Sequence, residues 1–173
     1  MARYSGFYAL FVVAAVIALV VSRSFDDEGR FTVGRTHTDA PAILTAADGT
    51  REMMIRATPG GSFLTEAVVD GAQVPVLVDT GASFLTLRES DAERAGIYVG
   101  GNDFVHEFST ANGTVSAARA QARYVELGPG RVDDVTVYVL PDSRLDISLL
   151  GMNVLRRFGN VSFGQDRLTI AVE

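Results

Sequence analysis

From Met53 to the C-terminus, the sequence consists of short runs of β-forming residues separated by turn signals. Two of the turns are the dipeptides Asp70-Gly71 and Asn112-Gly113, which are typical of tight β-hairpins. A third, Gly128-Pro129-Gly130, precedes the run DVTVYVL, and the segment NVSFGQDRLTIAV predicts a last hairpin. The series contains no internal repeat, and its many short strands predict an all-β fold that is closed or sandwich-like.

Two short helices are expected to interrupt these strands. The segment SDAERAG predicts the first, with Ser90 and Glu93 spaced as a capping box and Gly96 as the stop. The segment MNVLRRF predicts the second, directly after the apolar strand ISLLG. Its Arg156-Arg157 pair is expected on the solvated face of that helix.

The N-terminus is apolar enough to cross a membrane. Gly6–Val21 is an uncharged run of 16 residues, and three uncharged neighbours extend it to 19. As a helix it would span roughly 28 Å, close to the thickness of the bilayer core. We therefore predict a transmembrane anchor at residues 1–23, a juxtamembrane linker at 24–50 and a folded domain at 51–173.

A cleaved signal peptide is the alternative, with Arg3 as its basic region and Ser22-Arg23-Ser24 as a cleavage site. Arginines lie on both sides of the run, at Arg3 and at Arg23, Arg30 and Arg35, so the distribution of positive charge does not decide the orientation. We expect a single-pass protein of the inner (plasma) membrane, bound to the lipid bilayer by its N-terminal helix, with the folded domain on the periplasmic side.

The composition narrows the chemistry. The chain of 173 residues has 15 Lys+Arg against 21 Asp+Glu, and without a basic patch we expect no nucleic-acid partner. It lacks Cys, which excludes a thiol nucleophile and Cys-based metal sites. Two histidines, His37 and His106, poorly supply a Ser-His-Asp triad or a zinc site. We predict no metal and no cofactor, and the carboxylates remain as candidates for acid–base chemistry.

The run VPVLVDTGASFLTL ends a strand in Asp79-Thr80-Gly81. Since Asp is disfavoured inside strands, either an ordinary turn or a chemical role must account for Asp79. A phosphate-binding turn is a further alternative, but the chain lacks the βαβ pattern of nucleotide-dependent enzymes. Three other features favour a chemical role: the small residues of Gly81-Ala82-Ser83, a long hairpin at about residues 104–122 and the apolar segment Leu149-Leu150-Gly151.

Together, LVDTGAS, FSTANGTVSA and ISLLGMNVLRRF resemble, in this order and spacing, the motifs of retropepsin-like aspartic proteases of the single-domain, bacterial membrane-anchored type (clan AA). The resemblance covers about Met53 to Val172. It implies a single-lobe retropepsin-like acid-protease barrel with one or two short helices, which here would be preceded by one transmembrane helix. It also implies an aspartic endopeptidase that acts on polypeptide substrates.

In such enzymes two Asp carboxylates share a proton and activate a water molecule. The chain has one Asp-Thr-Gly, since Asp48-Gly49 and Asp70-Gly71 lack the hydroxyl residue. The resemblance therefore implies a homodimer in which each chain contributes Asp79. The resemblance also implies roles for three other segments. The loop around the carboxylate is supported by Thr80, Gly81 and Ala82, and from beneath by Leu149, Leu150 and Gly151. A flap over the substrate has its tip at Ala111, Asn112 and Gly113.

Two positions depart from the retroviral members, which pair an Asp with an Arg at the dimer interface where this chain has Ser83 and Met152. Other contacts must then hold the dimer, and the C-terminal strand RLTIAV is either part of a dimer sheet or an ordinary edge strand. His106 is expected to be a surface or half-buried side chain without a catalytic role. The alternative function is a catalytically silent retropepsin-like domain used for binding or assembly.

Overall fold

The computed structural model describes residues 42–45, 51–110, 113–164 and 166–172. The predicted anchor at residues 1–23 and most of the predicted linker lie outside these ranges. Within them, no helix combines the length and the apolar character needed to cross a membrane.

The described residues form eleven strands and two α-helices. The strands are β1 (Ala42–Thr45), β2 (Arg51–Arg56), β3 (Leu64–Val69), β4 (Ala72–Val78), β5 (Leu85–Arg88), β6 (His106–Thr110), β7 (Gly113–Leu127), β8 (Gly130–Leu140), β9 (Ser148–Leu150), β10 (Val161–Phe163) and β11 (Arg167–Val172). The helices are α1 (Glu89–Arg94) and α2 (Met152–Phe158), and 3₁₀ turns lie at Gly101–Asp103 and Asp142–Arg144. The prediction of an all-β fold with one or two short helices is confirmed.

The described strands are arranged in two sheets. Seven strands form the larger sheet in the order β3-β4-β9-β5-β8-β7-β6, and a further pairing of β3 with β7 closes most of it into a barrel. The smaller sheet has the order β1-β2-β11-β10. Because strand β4 lies between β3 and β9, its last three residues are buried, as expected for a central strand with both faces covered.

The predicted hairpins are present. At the β3–β4 turn, Asp70 and Gly71 have φ angles of 49° and 96°, as a two-residue turn with left-handed backbone requires. Strands β6 and β7 pair antiparallel up to Thr110 opposite Gly113, so the predicted second hairpin is present. The tip residues Ala111 and Asn112 are outside the described ranges.

Two predictions about element boundaries are wrong. Helix α1 has no capping box: its N-cap is Arg88, without a side-chain cap. The reason is that β5 runs through Arg88 directly into the helix, where a distant carboxylate, that of Asp142, accepts a hydrogen bond from the Ser90 N–H at 3.1 Å. The stop at Gly96 is confirmed by its φ of 73°. Strand β1 pairs with β2 inside the range assigned to the linker, so the sheet begins before residue 51.

The buried apolar side chains form two clusters. The larger contains side chains of both sheets together with Val154, Leu155 and Phe158 of α2. The smaller cluster has buried Leu77 and Leu149 at its centre. Partly buried side chains of Ala82 and Phe108 pack against it, so it connects the residues after Asp79 with strand β6 of the hairpin.

Candidate active site

Asp79 lies where two parallel strands end side by side. Strands β4 and β9 are in register from Val76 opposite Ser148 to Val78 opposite Leu150. The next residue on β4 is Asp79, and its N–H donates to the carbonyl oxygen of Leu150 at 3.1 Å. The apolar run before the motif is therefore a buried strand whose pairing fixes the backbone position of the aspartate.

The carboxylate of Asp79 is half-buried and makes a local bond. Its Oδ1 accepts a hydrogen bond from the Gly81 N–H at 2.8 Å, and its carbonyl oxygen accepts one from the Ala82 N–H at 3.2 Å. This is the turn chemistry that the sequence offered as the ordinary interpretation. Within the described residues, no side chain bonds the carboxylate, so the turn leaves its second oxygen available.

The outer side of this loop faces solvent in the single chain. Thr80, Gly81 and Ser83 are exposed, whereas Ala82 is half-buried and packs against the smaller apolar cluster. Thr80 and Gly81 are two of the residues to which the resemblance assigns support of the loop, and that role remains a prediction.

The segment after β9 supports the loop by close backbone contact. The N–H groups of Met152 and Asn153 donate to the carbonyl oxygens of Ala82 and Ser83, at 2.8 Å and 3.0 Å. A Cβ atom on Gly151 would lie 2.3 Å from the Phe84 oxygen. Only glycine allows this approach, and the predicted supporting role of Leu149-Leu150-Gly151 is confirmed in these contacts.

Asn153 is a supporting residue that sequence reasoning missed. Its Oδ1 accepts from the Leu85 N–H at 2.7 Å, and its Nδ2 donates to the Thr136 carbonyl oxygen at 2.8 Å. One amide side chain therefore joins the residues after the Asp79 loop to β8. Its position in the first turn of α2 was the available signal, since Asn often bonds to backbone groups near helix starts.

A buried polar network, also missed, fixes the other end of β9. The hydroxyl of Ser148, fully buried, donates to Asp91 Oδ2 at 2.6 Å and accepts from the Arg88 N–H at 3.0 Å. The other oxygen of Asp91 accepts from the Arg94 guanidinium. A buried carboxylate requires such partners. Here they connect helix α1 to strand β9, whose Leu150 accepts the hydrogen bond from the Asp79 N–H.

Asp142 extends this network toward solvent. Its carboxylate accepts from the Ser90 N–H and pairs with the Arg88 guanidinium at 2.9 Å. Partial burial raises the pKa of the Asp142 carboxyl, but the hydrogen bond from the Ser90 backbone, together with the Ser90 side chain and the Arg88 charge, outweighs that effect. The net pKa of Asp142 lies below its ordinary value.

The β6–β7 hairpin shares the smaller apolar cluster with the Asp79 loop. Val115 and Ala117 of β7 are buried in it, and Phe108 of β6 packs against it. His106 is exposed, as predicted, with its ring 5.5 Å from that of Tyr138. Of the three predicted tip residues, Gly113 is described and has a φ of 104°.

The described residues include no group of three or more His, Asp or Glu side chains placed to hold a metal ion. The site that the structure does assemble consists of one carboxylate, backbone N–H groups and an adjoining apolar cluster.

Comparison with known proteins identifies families and structures that share this arrangement. Residues 65–157, more than half of the chain, match the sequence model of the family described as "gag-polyprotein putative aspartyl protease". That match contains the Asp79 loop, the hairpin and the Leu149-Leu150-Gly151 segment. The chain belongs to the retropepsin-like aspartic proteases.

Individual relatives agree with this placement. The crystal structure of a retropepsin-like aspartic protease from Rickettsia conorii is 33% identical, with a TM-score of 0.61, and the match covers 69% of this chain and 98% of that one. An uncharacterized protein in the cobV 5′ region of a Sinorhizobium species is 34% identical over 164 residues, 93% of this chain and 70% of the relative. The uncharacterized protein RP867 of Rickettsia prowazekii is 32% identical over 119 residues, and the match spans 51% of its length. The retropepsin-like fold is thereby confirmed for this protease-family chain.

Proposed function

We propose that this chain is an aspartic endopeptidase that hydrolyses peptide bonds as a homodimer, with one Asp79 carboxylate from each subunit. The observation that carries the proposal is the position of Asp79: a half-buried carboxylate, fixed by strand pairing, in a loop whose outer side is exposed. With one Asp-Thr-Gly per chain, a pair of such carboxylates requires two chains.

The chemistry follows from two carboxyl groups that share a proton. Like charges a few ångströms apart resist ionising together, so one carboxyl stays protonated while the other is ionised. The ionised carboxylate takes a proton from a water molecule, whose oxygen bonds to the peptide carbonyl carbon, while the protonated carboxyl gives its proton to the carbonyl oxygen. Collapse of the tetrahedral intermediate breaks the C–N bond: the amine nitrogen takes the proton from the protonated carboxyl, and one hydroxyl of the intermediate gives its proton to the ionised carboxylate, which restores the shared proton.

The family resemblance supports a polypeptide substrate. The exposed loop and the β6–β7 hairpin adjoin one apolar cluster, and an extended peptide would lie along these strands. Closure of the hairpin would exclude water from the reacting bond. The intact Asp79-Thr80-Gly81 favours the enzyme over the catalytically silent binding domain, because a binding surface gains little from a pair of repelling carboxylates.

We also propose that residues 1–23 anchor the enzyme in the inner membrane, with the protease domain on the periplasmic side. The uncharged run Gly6–Val21 supports an anchor. Confinement to a membrane would raise the local concentration of chains and thereby favour the dimer.

The test is hydrolysis of a mixture of extended peptides by the full-length chain between about pH 3 and pH 7, a range that brackets carboxyl titration. Asp79→Asn preserves the shape of the side chain, and we expect it to lower kcat/KM by roughly 10³-fold or more. Asp134→Asn is the matched control, since Asp134 is exposed with a φ of 53°, which Asn tolerates. Equal activity of the Asp79→Asn variant and the native chain would exclude the proposed mechanism.

A further inference from the structure

Four aromatic rings form a cluster between the hairpin and the Asp79 loop, with Tyr138 of β8 at its centre. The Tyr138 ring lies 5.0 Å from Phe84, 5.5 Å from His106 and 4.8 Å from Phe108, measured between centroids. The interplanar angles are 64°, 84° and 73°, which are edge-to-face arrangements. Such ring contacts are favourable beyond the apolar area that they bury.

The ring contacts join two parts of the site that are far apart in sequence. Phe84 directly follows Ser83 of the Asp79 loop, and its carbonyl oxygen lies against Gly151. His106 and Phe108 belong to β6, the first strand of the hairpin. Tyr138 therefore contacts both the residue that follows the active-site loop and the first strand of the hairpin.

Strand β6 has few other attachments. It is the outermost strand of the seven-stranded sheet and pairs only with β7 among the described strands. Its residues His106 and Glu107 are exposed, whereas Phe108 is half-buried. Strand β6 is held by the backbone ladder to β7, by the packing of Phe108 against the smaller apolar cluster and by the ring contacts with Tyr138.

We propose that Tyr138 is a positioning residue that holds the β6–β7 hairpin against the Asp79 loop in the arrangement that receives an extended peptide. The proposal rests on the peptidase function above and adds a residue to it. A hairpin already held in place loses less conformational freedom when a substrate binds, so its position contributes to binding. No contact of Tyr138 with the Asp79 carboxylate is present in the described residues, and the chemical step should be spared.

The ring, rather than the hydroxyl, carries this role. Among the described residues no hydrogen bond to the Tyr138 hydroxyl is present, so Tyr138→Phe retains every contact that positions the hairpin. Tyr138→Leu removes the edge-to-face geometry but keeps an apolar side chain. Tyr124→Leu is the matched control, because Tyr124 is another half-buried tyrosine whose ring lies under the Arg131 guanidinium at 3.8 Å, outside this cluster.

The kinetic experiment uses the full-length chain and a cleaved peptide. We expect Tyr138→Leu to raise KM by roughly tenfold through loss of the ring contacts, with kcat within about twofold of the native value. Tyr138→Phe and Tyr124→Leu should keep the native KM. An unchanged KM in Tyr138→Leu, or an equal rise in Tyr138→Phe, would overturn the proposal.

A second measurement does not depend on activity. Amide hydrogen exchange of His106–Thr110 should accelerate by roughly tenfold in Tyr138→Leu, while the β7–β8 ladder keeps its protection, because opening of the hairpin is a local event. Unchanged exchange in β6 would contradict the positioning role, whether or not the native chain cleaves peptides. Absence of cleavage by the native chain would count against the peptidase function alone. If Tyr138→Leu fails to fold, Phe108→Leu removes one contact from the hairpin side and is read in the same way.

Discussion

The N–H of Asp79 donates to the carbonyl oxygen of Leu150, 71 residues later in the sequence, at 3.1 Å. This bond continues the parallel pairing of β4 with β9 by one residue beyond Val78. The position of the carboxylate is therefore set by the strand that precedes α2, and perturbation of that strand should reach the active site.

Gly151 provides the first prediction. A Cβ atom there would lie 2.3 Å from the Phe84 oxygen and 2.8 Å from the Ala82 oxygen, both backbone atoms that cannot turn away. We expect Gly151→Ala to lower the free energy of unfolding by about 3 kcal/mol, the upper range for overpacking. Urea denaturation followed by circular dichroism measures it.

The control for this variant is Gly101→Ala. A Cβ atom on Gly101 would meet nothing within 4 Å, so the free energy of unfolding should change by no more than about 0.5 kcal/mol. Similar denaturation midpoints for the two variants would show that the close approach at Gly151 does not constrain the loop.

Asn153 provides the second prediction. Asn153→Ala leaves the Leu85 N–H and the Thr136 carbonyl oxygen without their partner, and we expect a loss of about 2–3 kcal/mol in the free energy of unfolding. The exposed Asn102 serves as a control, since Asn102→Ala removes no hydrogen bond in the described residues. Thermal denaturation compares the two, and a matched shift in Tm would argue against the bridging role.

Asp142 provides a prediction about pH. Because its folded-state pKa is below the ordinary value, ionised Asp142 contributes stability above the pKa of the unfolded chain, about 4. That contribution is lost as the pH falls through the lower folded-state pKa. The side chain is 40% exposed, so solvent screening keeps the effect small.

Comparison of the native chain with Asp142→Asn measures this effect. The native chain should have the higher Tm at pH 6, and the difference should narrow as the pH falls below about 4. Asp134→Asn, at an exposed carboxylate, should show no such narrowing. A constant difference between native and Asp142→Asn chains across this range would rule out the contribution.

Local signals explain which features were predictable from sequence. Asp70-Gly71 specifies its hairpin because both residues readily adopt the left-handed backbone of a two-residue turn, and Gly113 has a positive φ of the same kind beside the tip of the second hairpin. The turn at Asp79 and the strand-to-helix passage at Gly151 were recognised from the short segments Asp79-Thr80-Gly81 and Leu149-Leu150-Gly151, and the three motifs together indicated the family.

Features that depend on distant partners were not predictable. Ser90 was expected to be the N-cap of α1 in a capping box with Glu93, but the Asp142 carboxylate, 52 residues away in the sequence, accepts a hydrogen bond from the Ser90 N–H. The bond between Ser148 and Asp91 joins residues 57 apart, and the rings around Tyr138 come from two distant segments, Phe84 after the Asp79 loop and His106 and Phe108 of β6. Such pairs follow from the closed barrel, which no short segment encodes. Strand β1 was not predicted because its four residues are all exposed, so the strand has no buried face that would impose alternating apolar and polar residues.

The central claim is that two copies of Asp79 form one active site, and mixing native chains with inactive Asp79→Asn chains tests it directly. The native chain is held at constant concentration while an equal amount of the variant is added and the subunits are allowed to exchange. Random pairing predicts that activity falls to about half, and to about a quarter with a threefold excess, because a mixed dimer has one carboxylate. Activity that stays constant at every ratio would contradict the shared site.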